Sequence, residues 1–414
     1  MARWADLPLD AIYEILSSDT LWTEDLIRLS LVNKTFQRCA RSALYRNIRV
    51  VSGRRSNTHP TRIELFTRSI TENPDLTLLP RSAYFMCSLK DEEQFANFRR
   101  LIARLPLLEK LKISAFVHIP NFDGPNLAFL DENTFPRLRS LDVCHLQAGM
   151  LGPRNTNKLT WNEVKQYMSP PLLESLALGM FRGTSANPET LKLQAGDEGR
   201  LASKLKSLTV NEASSRSSNL DLILSHCHVV EDLTLKVTWY KEPLRNLSRV
   251  LSSRLHTTLT SLRLSHDAAS CFKNTPIDLR GLEKVRKLEV EANFLCSAEA
   301  RRNPSMMTGV YSGLPPALVE FKINFWGDEG PFPDHEQRSL KWLIELAEQK
   351  PTVLPRLSNL YVRETNKPSH GCVLRSVLPS SPHTPPDTIS KLFAEKEIEL
   401  HLRLLERSWG RKKN

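Results

Sequence analysis

One leucine template, L-x-x-L-x-L, occurs nine times between residues 108 and 362, and it constrains the fold more than any other feature. Successive copies begin 25 to 39 residues apart, and some leucine positions hold valine, isoleucine or phenylalanine. Apolar and polar residues alternate over the last four positions, which predicts a strand with one buried face. A single strand cannot bury its own face, so we expect the nine strands to lie side by side over a shared core. The copies are Leu108, Leu111, Ile113; Leu138, Leu141, Val143; Leu173, Leu176, Leu178; Leu205, Leu208, Val210; Val230, Leu233, Leu235; Leu259, Leu262, Leu264; Val285, Leu288, Val290; Leu318, Phe321, Ile323; and Leu357, Leu360, Val362.

Helical patterns lie between several of these strands. Leu220, Ile223 and Leu224 have helical spacing, and the same spacing recurs after residue 244. Strands that alternate with helices predict an α/β fold, and the shared template favours a curved solenoid with an inner parallel sheet and outer helices. The alternative is an ordinary α/β domain, in which the strands have no reason to share one leucine template.

The side chains that alternate with the buried leucines form a candidate surface for a protein substrate. They are mixed in charge and mostly polar, so they predict a protein ligand. They do not form a continuous row of basic residues that could contact phosphate groups. Aromatic residues just past two strands either anchor a partner or pack against the next repeat. The candidate surface comprises Lys112, Asp142, Thr234, Trp239, Tyr240, Arg263, Glu289, Lys322, Trp326 and Tyr361.

The first fifty residues predict three short helices. Leu7 and Pro8 open the first, and further apolar periodicities continue to Leu44 and Tyr45. A unit of this size buries too little apolar surface to be stable alone. It is therefore either a cap on a larger helical domain or a module that docks on a partner.

The order of residues in this segment resembles the F-box, especially that of fungal F-box proteins. Leu-Pro at the start, the Leu-x-x-Leu-x-x-Val run at Leu26 and the closing Leu-Tyr-Arg carry the resemblance, although Asn33, Lys34 and Thr35 depart from the family pattern. The resemblance implies docking on a Skp-family adaptor and, through it, on a cullin ubiquitin ligase. The docking positions that it implies are Leu7, Pro8, Ile12, Leu16, Leu29, Val32 and Phe36.

The irregular repeat lengths resemble those of F-box leucine-rich-repeat proteins, so the resemblance covers roughly residues 7 to 363. We therefore expect an F-box at 1–50, a connector at 51–60, a solenoid at 61–364 and a Pro/Ser-rich linker at 365–386. A C-terminal helix and a basic tail are expected at 387–414. This helix either covers the end of the sheet or binds a partner, and its expected apolar face is Ile389, Leu392, Phe393, Leu400 and Leu404.

Composition and motifs argue against several classes of function. No apolar run is long enough for a membrane helix, and the first residues lack an export signal, so we expect a soluble protein of the cytoplasm, the nucleus or both. Basic residues are spread among acidic ones, which argues against nucleic acid as a partner despite a net charge of +11. No catalytic motif is present, so we expect no enzyme, cofactor or metal site. His226 and His228 flank Cys227, and we interpret them as residues of a turn.

These observations together predict a substrate-recognition adaptor of a Skp-cullin-F-box ubiquitin ligase, in which the repeats bind a protein substrate. The alternative is a leucine-rich-repeat scaffold for protein interactions that has no connection to ubiquitin.

Overall fold

A computed structural model of the chain describes residues 7–16, 23–51, 62–89, 92–117, 135–148, 161–179, 204–211, 217–237, 244–266, 276–296, 307–326, 341–365 and 380–405. Two compact units make up the chain. The first comprises Met1–Met180 and Arg200–Lys204, and the second comprises Phe181–Gly199 and Leu205–Asn414.

Helices and strands alternate through most of both units. The described helices are α1 (Leu9–Leu16), α2 (Thr23–Leu29), α3 (Lys34–Arg46), α4 (Arg62–Glu72), α5 (Glu92–Ala103), α6 (Trp161–Met168), α7 (Ser217–Ser225), α8 (Leu244–Leu255), α9 (Ala292–Leu295), α10 (Lys341–Val353) and α11 (Asp387–Glu395), with short 3-10 helices at Pro74–Leu78 and Val310–Gly313. The described strands are β1 (Asn47–Val51), β2 (Ser82–Leu89), β3 (Lys110–Val117), β4 (Ser140–Ala148), β5 (Ser175–Leu178), β6 (Ser207–Asn211), β7 (Asp232–Val237), β8 (Ser261–His266), β9 (Lys287–Glu291), β10 (Glu320–Trp326), β11 (Asn359–Thr365), β12 (Ser380–His383) and β13 (Glu399–Leu405).

In the first unit, strands β1 to β5 pair in chain order and all are parallel. Strand β1 begins directly after α3, so no connector separates the N-terminal helices from the sheet. The middle template residues of β3, β4 and β5 lie opposite one another, because Leu111 pairs with Leu141 and Leu141 pairs with Leu176. The pairing register follows the leucine template.

In the second unit, strands β6 to β11 also pair in chain order and in parallel, and β13 extends this sheet beside β11. Strand β12 closes the edge by pairing antiparallel with β13. One row of paired residues crosses the sheet: Leu208, Leu233, Leu262, Leu288, Phe321, Leu360 and Leu400.

Every side chain of the nine leucine triplets is at most 1% exposed. The intervening residues are intermediate or exposed, so each strand has one buried face and one accessible face, as the alternation predicts. The prediction of an α/β fold built on a repeated parallel strand is confirmed. Its arrangement within each unit is that of a solenoid-like fold.

Backbone hydrogen bonds fix where each template strand starts. We call the residue immediately before a strand its start position. The carbonyl oxygen at one start position accepts two N–H groups from the next repeat, as Thr260 does from Arg286 and Lys287 at 2.8 and 3.1 Å. The same pair of bonds joins Arg286 to Val319 and Glu320 at 2.8 and 2.9 Å. The start positions therefore form a rigid row along one edge of each sheet.

The C-terminal segment differs from the sequence prediction. Helix α11 begins at Asp387 as expected but ends at Glu395, and β13 occupies residues that we expected to continue the helix, including Leu400 and Leu404. Glu397 has a φ of +54°, a conformation that rarely suits a side chain, and it reverses the chain between helix and strand. The segment contributes a further parallel strand, and residues 406–414 lie outside the described part.

Several other predictions meet the structure only partly. Residues 52–60 of the expected connector and 366–379 of the expected linker lie outside the described residues. Among the helices described above, none combines the length and the apolar character that a membrane span requires.

Candidate functional site

The three N-terminal helices, which we call the helical head (α1 to α3), enclose a small apolar core. Its buried members are Ile12, Leu16, Leu26, Phe36, Cys39, Ala40 and Ala43, and Leu7, Leu29 and Leu44 pack partly buried against them. Helix α3 starts at an N-cap, since the side chain of Asn33 accepts a hydrogen bond from the Phe36 N–H at 2.9 Å. Asn33 is also a residue at which the sequence departs from the F-box pattern, and capping gives it a physical role here.

Polar contacts tie α1 to α3. The guanidinium of Arg46 donates a hydrogen bond to the hydroxyl of Tyr13 at 3.2 Å and lies 5.8 Å from the centre of its ring. Arg46 is the last residue of α3 and directly precedes β1. The contact therefore holds α1 near the point where the helical head joins the sheet.

The turn between α2 and α3 displays two large apolar side chains. Leu31 is 82% exposed and Val32 is 62% exposed. Their N–H groups donate to the carbonyl oxygens of Arg28 and Leu29, both at 3.1 Å, so the backbone of the turn is held in place. Of the nine exposed large apolar side chains in the described part of the chain, five belong to the helical head: Leu9, Ile15, Ile27, Leu31 and Val32.

The structure separates the seven predicted docking residues into two groups. Ile12, Leu16 and Phe36 are buried in the core of the helical head, where they support the fold. Pro8 and Val32 are exposed, and Leu7 and Leu29 are partly buried. The sequence prediction did not include Leu9, Ile15, Ile27 and Leu31, because helical periodicity identifies the inward face and gives no measure of what stays uncovered.

The accessible strand face of the first unit is lined by paired charges and one aromatic ring. Tyr84 on β2 lies between Arg49 on β1 and Lys112 on β3. The two cations lie 5.5 and 5.7 Å from the centre of the tyrosine ring. Lys112 also forms an ion pair with Asp142 of β4 at 2.7 Å, so Lys112 and Asp142 are brought together as part of one face.

The second unit carries a similar face. Glu289 on β9 accepts a hydrogen bond from Asn324 at 3.2 Å and forms an ion pair with Arg263 at 3.3 Å. Thr234 stands beside Arg263 in the same row. Because Arg263, like Lys112 in the first unit, is paired with a carboxylate, this face favours a protein surface over a polyanion as its ligand.

An aromatic stack completes this face near its C-terminal edge. The rings of Tyr361 and His401 are parallel to within 8° with their centres 4.4 Å apart. Lys322 lies 5.0 Å from the centre of the Tyr361 ring and forms an ion pair with Glu320 at 2.5 Å. The sequence pattern predicts a helix through His401, so this residue was not among the predicted surface residues. The alternation of Leu400, Leu402 and Leu404 was the available signal.

The predicted aromatic anchors Trp239 and Tyr240 lie outside the described residues, as does the side chain of Trp326 at the end of β10. Tyr84 and Arg49 are further residues of the strand face that the template did not identify, because β1 and β2 precede its first copy. Their alternation with buried residues is the signal that identifies them.

The structure shows no obvious chemical centre in the described residues. We find no group of three or more metal-ligating side chains there. Cys227 is buried in the turn after α7, and burial raises the pKa of its thiol to about 12. Its neighbour His226 is also buried, whereas His228 is exposed. A thiol with so high a pKa is a poor nucleophile.

Neither a protein-family model nor a curated protein matches this chain in sequence. The geometry of the helical head and of the strand faces therefore carries the functional argument.

Proposed function

We propose that this protein is a substrate-recognition adaptor of a Skp-cullin-F-box ubiquitin ligase. In this proposal the helical head is an F-box that docks on a Skp-family adaptor, and the leucine template builds a leucine-rich-repeat solenoid that binds a protein substrate. The observation that carries the proposal is the pair Leu31 and Val32, displayed on a hydrogen-bonded turn.

Exposed apolar side chains on a fixed backbone are suited to binding. Burying a leucine or valine stabilises an interface by about 1.5 to 3 kcal/mol per side chain. Because the turn is already held by backbone hydrogen bonds, little further ordering is needed when a partner covers it. The sequence resemblance names the partner, and the exposure of Pro8 and Val32 supports docking through these positions.

The junction between α3 and β1 suits the role of an adaptor. The helix ends at Arg46 and the strand starts at Asn47, so a partner docked on the helical head has a fixed relation to the first strands. Substrate bound to the repeats would then be held near a conjugating enzyme in the same assembly. Such proximity raises the effective concentration of substrate lysines, and no catalysis by this chain is required.

The test is co-purification of the full chain with a purified Skp-family adaptor. We expect the wild-type chain to form a complex and the double variant Leu31→Asp/Val32→Asp to lose it, because two carboxylates would be buried in an apolar interface. The matched control is Leu78→Asp, since Leu78 is a leucine that is 51% exposed outside the helical head. We expect the control to retain the complex.

Two outcomes would contradict this proposal. Failure of the folded wild-type chain to bind the adaptor would favour the scaffold unconnected to ubiquitin. Retention of the complex by the double variant would show that the turn is not the docking surface. Circular dichroism of each variant separates loss of binding from loss of fold.

A further inference from the structure

A basic groove runs along the edge of the second unit where strands β7, β8 and β9 start. It has a volume of about 530 Å³ and shares no lining residue with the strand-face set described above, although Asp232, Ser261 and Lys287 lie two positions before Thr234, Arg263 and Glu289 on the same strands. Thr260, Ser261 and Ala317 contribute small side chains to its lining. The charged side chains that line it are Asp232, Glu283, Lys284, Arg286, Lys287 and Arg356.

In the first unit, some charged side chains at adjacent start positions form ion pairs with each other. Arg139 is the start position of β4 and pairs with Glu174, the start position of β5, at 2.6 Å. Arg81 and Glu109 are the start positions of β2 and β3 and lie 3.9 Å apart. In these two pairs a cation at a start position is neutralised by the carboxylate of the next repeat, whereas Arg46, the start position of β1, has Arg81 as its neighbour and donates to Tyr13 instead.

Arg286 is the start position of β9 and lacks such a neighbour. The adjacent start positions, joined to it by backbone hydrogen bonds, are Thr260 on one side and Val319 on the other. Lys287 is the first residue of β9 and lies opposite Glu320 of β10 in the strand register. The carboxylate of Glu320, however, forms its ion pair with the Nζ of Lys322, at 2.5 Å. Neither Arg286 nor Lys287 forms an ion pair within the described part of the chain.

The same is true of the other two cations of the groove. Lys284 and Arg356 are exposed, and neither forms an ion pair with a described residue. Four cations thus face a groove that holds two carboxylates, and the backbone at Arg286 and Lys287 is held by hydrogen bonds to both neighbouring repeats. An excess of cations without ion-pair partners in a concave site favours an anionic ligand.

We propose that this groove binds an acidic peptide segment of a partner protein, through side-chain carboxylates that contact Arg286 and Lys287. The two carboxylates in the groove, Asp232 and Glu283, argue for a peptide rather than a nucleic acid. A nucleic-acid strand carries a phosphate at every nucleotide and would place some of them beside these carboxylates. A peptide can place an uncharged or basic residue there. The groove would take such a segment whether or not the helical head docks on a Skp-family adaptor.

The test uses the full chain and a fluorescein-labelled peptide of six glutamates, with a peptide of six glutamines as the uncharged probe. Fluorescence anisotropy should show saturable binding of the glutamate peptide that weakens as salt is raised. We expect the double variant Arg286→Ala/Lys287→Ala to weaken binding about five- to tenfold, because each of the two substitutions removes one exposed ionic contact with the peptide. Lys284→Ala/Arg356→Ala should act in the same direction.

The matched control is Arg245→Ala/Arg249→Ala, which removes two exposed arginines of α8 outside the groove. It changes the net charge equally, and we expect its affinity to stay within about twofold of wild type. The proposal is overturned if the glutamate peptide does not bind, if the glutamine peptide binds as well, or if the control weakens binding as much as the groove variants. Groove-dependent binding of a phosphoserine peptide or of single-stranded DNA that is more than about tenfold tighter would reassign the ligand and overturn it too.

Discussion

Truncation of one leucine in the middle row of the second sheet would test the repeat architecture. Leu233 on β7 is 1% exposed and lies between Leu208 of β6 and Leu262 of β8 in the paired register. Replacing a fully buried leucine by alanine removes its transfer free energy and leaves a cavity between rigid strands. The expected loss in the free energy of unfolding is about 3 to 5 kcal/mol.

The next residue on the same strand provides the control. Thr234 points to the accessible face, so Thr234→Ala should change the free energy of unfolding by less than about 1 kcal/mol. Urea unfolding followed by far-ultraviolet circular dichroism measures both variants. With an m-value of about 3 kcal/mol/M, Leu233→Ala should lower the midpoint by about 1 to 1.7 M.

The m-value is an informative second readout of this experiment. A repeat array can unfold in parts, and a local loss of structure near β7 would lower the m-value together with the midpoint. Equal destabilisation by Leu233→Ala and Thr234→Ala would refute the reasoning, because the strand would then have no single buried face. A midpoint unchanged by Leu233→Ala would refute it as well.

Cys227, Gly313 and the pair of Arg254 with Asp221 provide three further tests in the second unit. Burial raises the pKa of the Cys227 thiol from 9.0 to about 12 in the folded chain, so iodoacetamide at pH 8 should label it only after denaturation, as measured by mass spectrometry. Because the thiol ionises at lower pH in the unfolded chain, the free energy of unfolding should fall as pH rises from 9 towards 12. A Cβ at Gly313 would lie 2.9 Å from the carbonyl oxygen of Ile277, so Gly313→Ala should lower the free energy of unfolding by about 1 to 3 kcal/mol in urea titrations, and an unchanged midpoint would contradict this. Arg254 pairs with Asp221 at 2.7 Å, and their side chains are 41% and 39% exposed, so Asp221→Asn should cost less than about 1 kcal/mol by the same assay. A larger loss would mean that the pair is not screened by solvent.

The repeat strands could be predicted because one template determines both their period and their buried face. Alternation of apolar residues every second position, repeated nine times, leaves few arrangements other than stacked strands. The buried rows formed by Leu111, Leu208 and their counterparts follow that expectation in each unit.

The C-terminal strand could not be predicted in the same way. Leu400 and Leu404 are four residues apart, which suits one face of a helix as well as alternate positions of a strand. Glu397 stands where the template has its leading leucine, so the copy is incomplete. Pairing with β11 decides the conformation, and this pairing depends on residues distant in sequence.

The candidate sites were only partly predictable for a related reason. Periodicity in the helical head identified Ile12 and Phe36 as apolar face residues but could not show that they are buried and that Leu31 is displayed. The exposure of Leu31 depends on where α2 ends. The basic groove depends on which side chain the neighbouring repeat places beside Arg286, and the sequence alone does not give that register.

Calorimetric titration of the purified full chain with a purified Skp-family adaptor tests the central proposal most directly. The account predicts one-to-one binding, weakened by about 2 to 4 kcal/mol, or about 30- to 900-fold in affinity, in the variant Leu7→Ala/Pro8→Ala with the repeats still folded. Absence of binding by the folded wild-type chain, or an unchanged affinity in this variant, would contradict it.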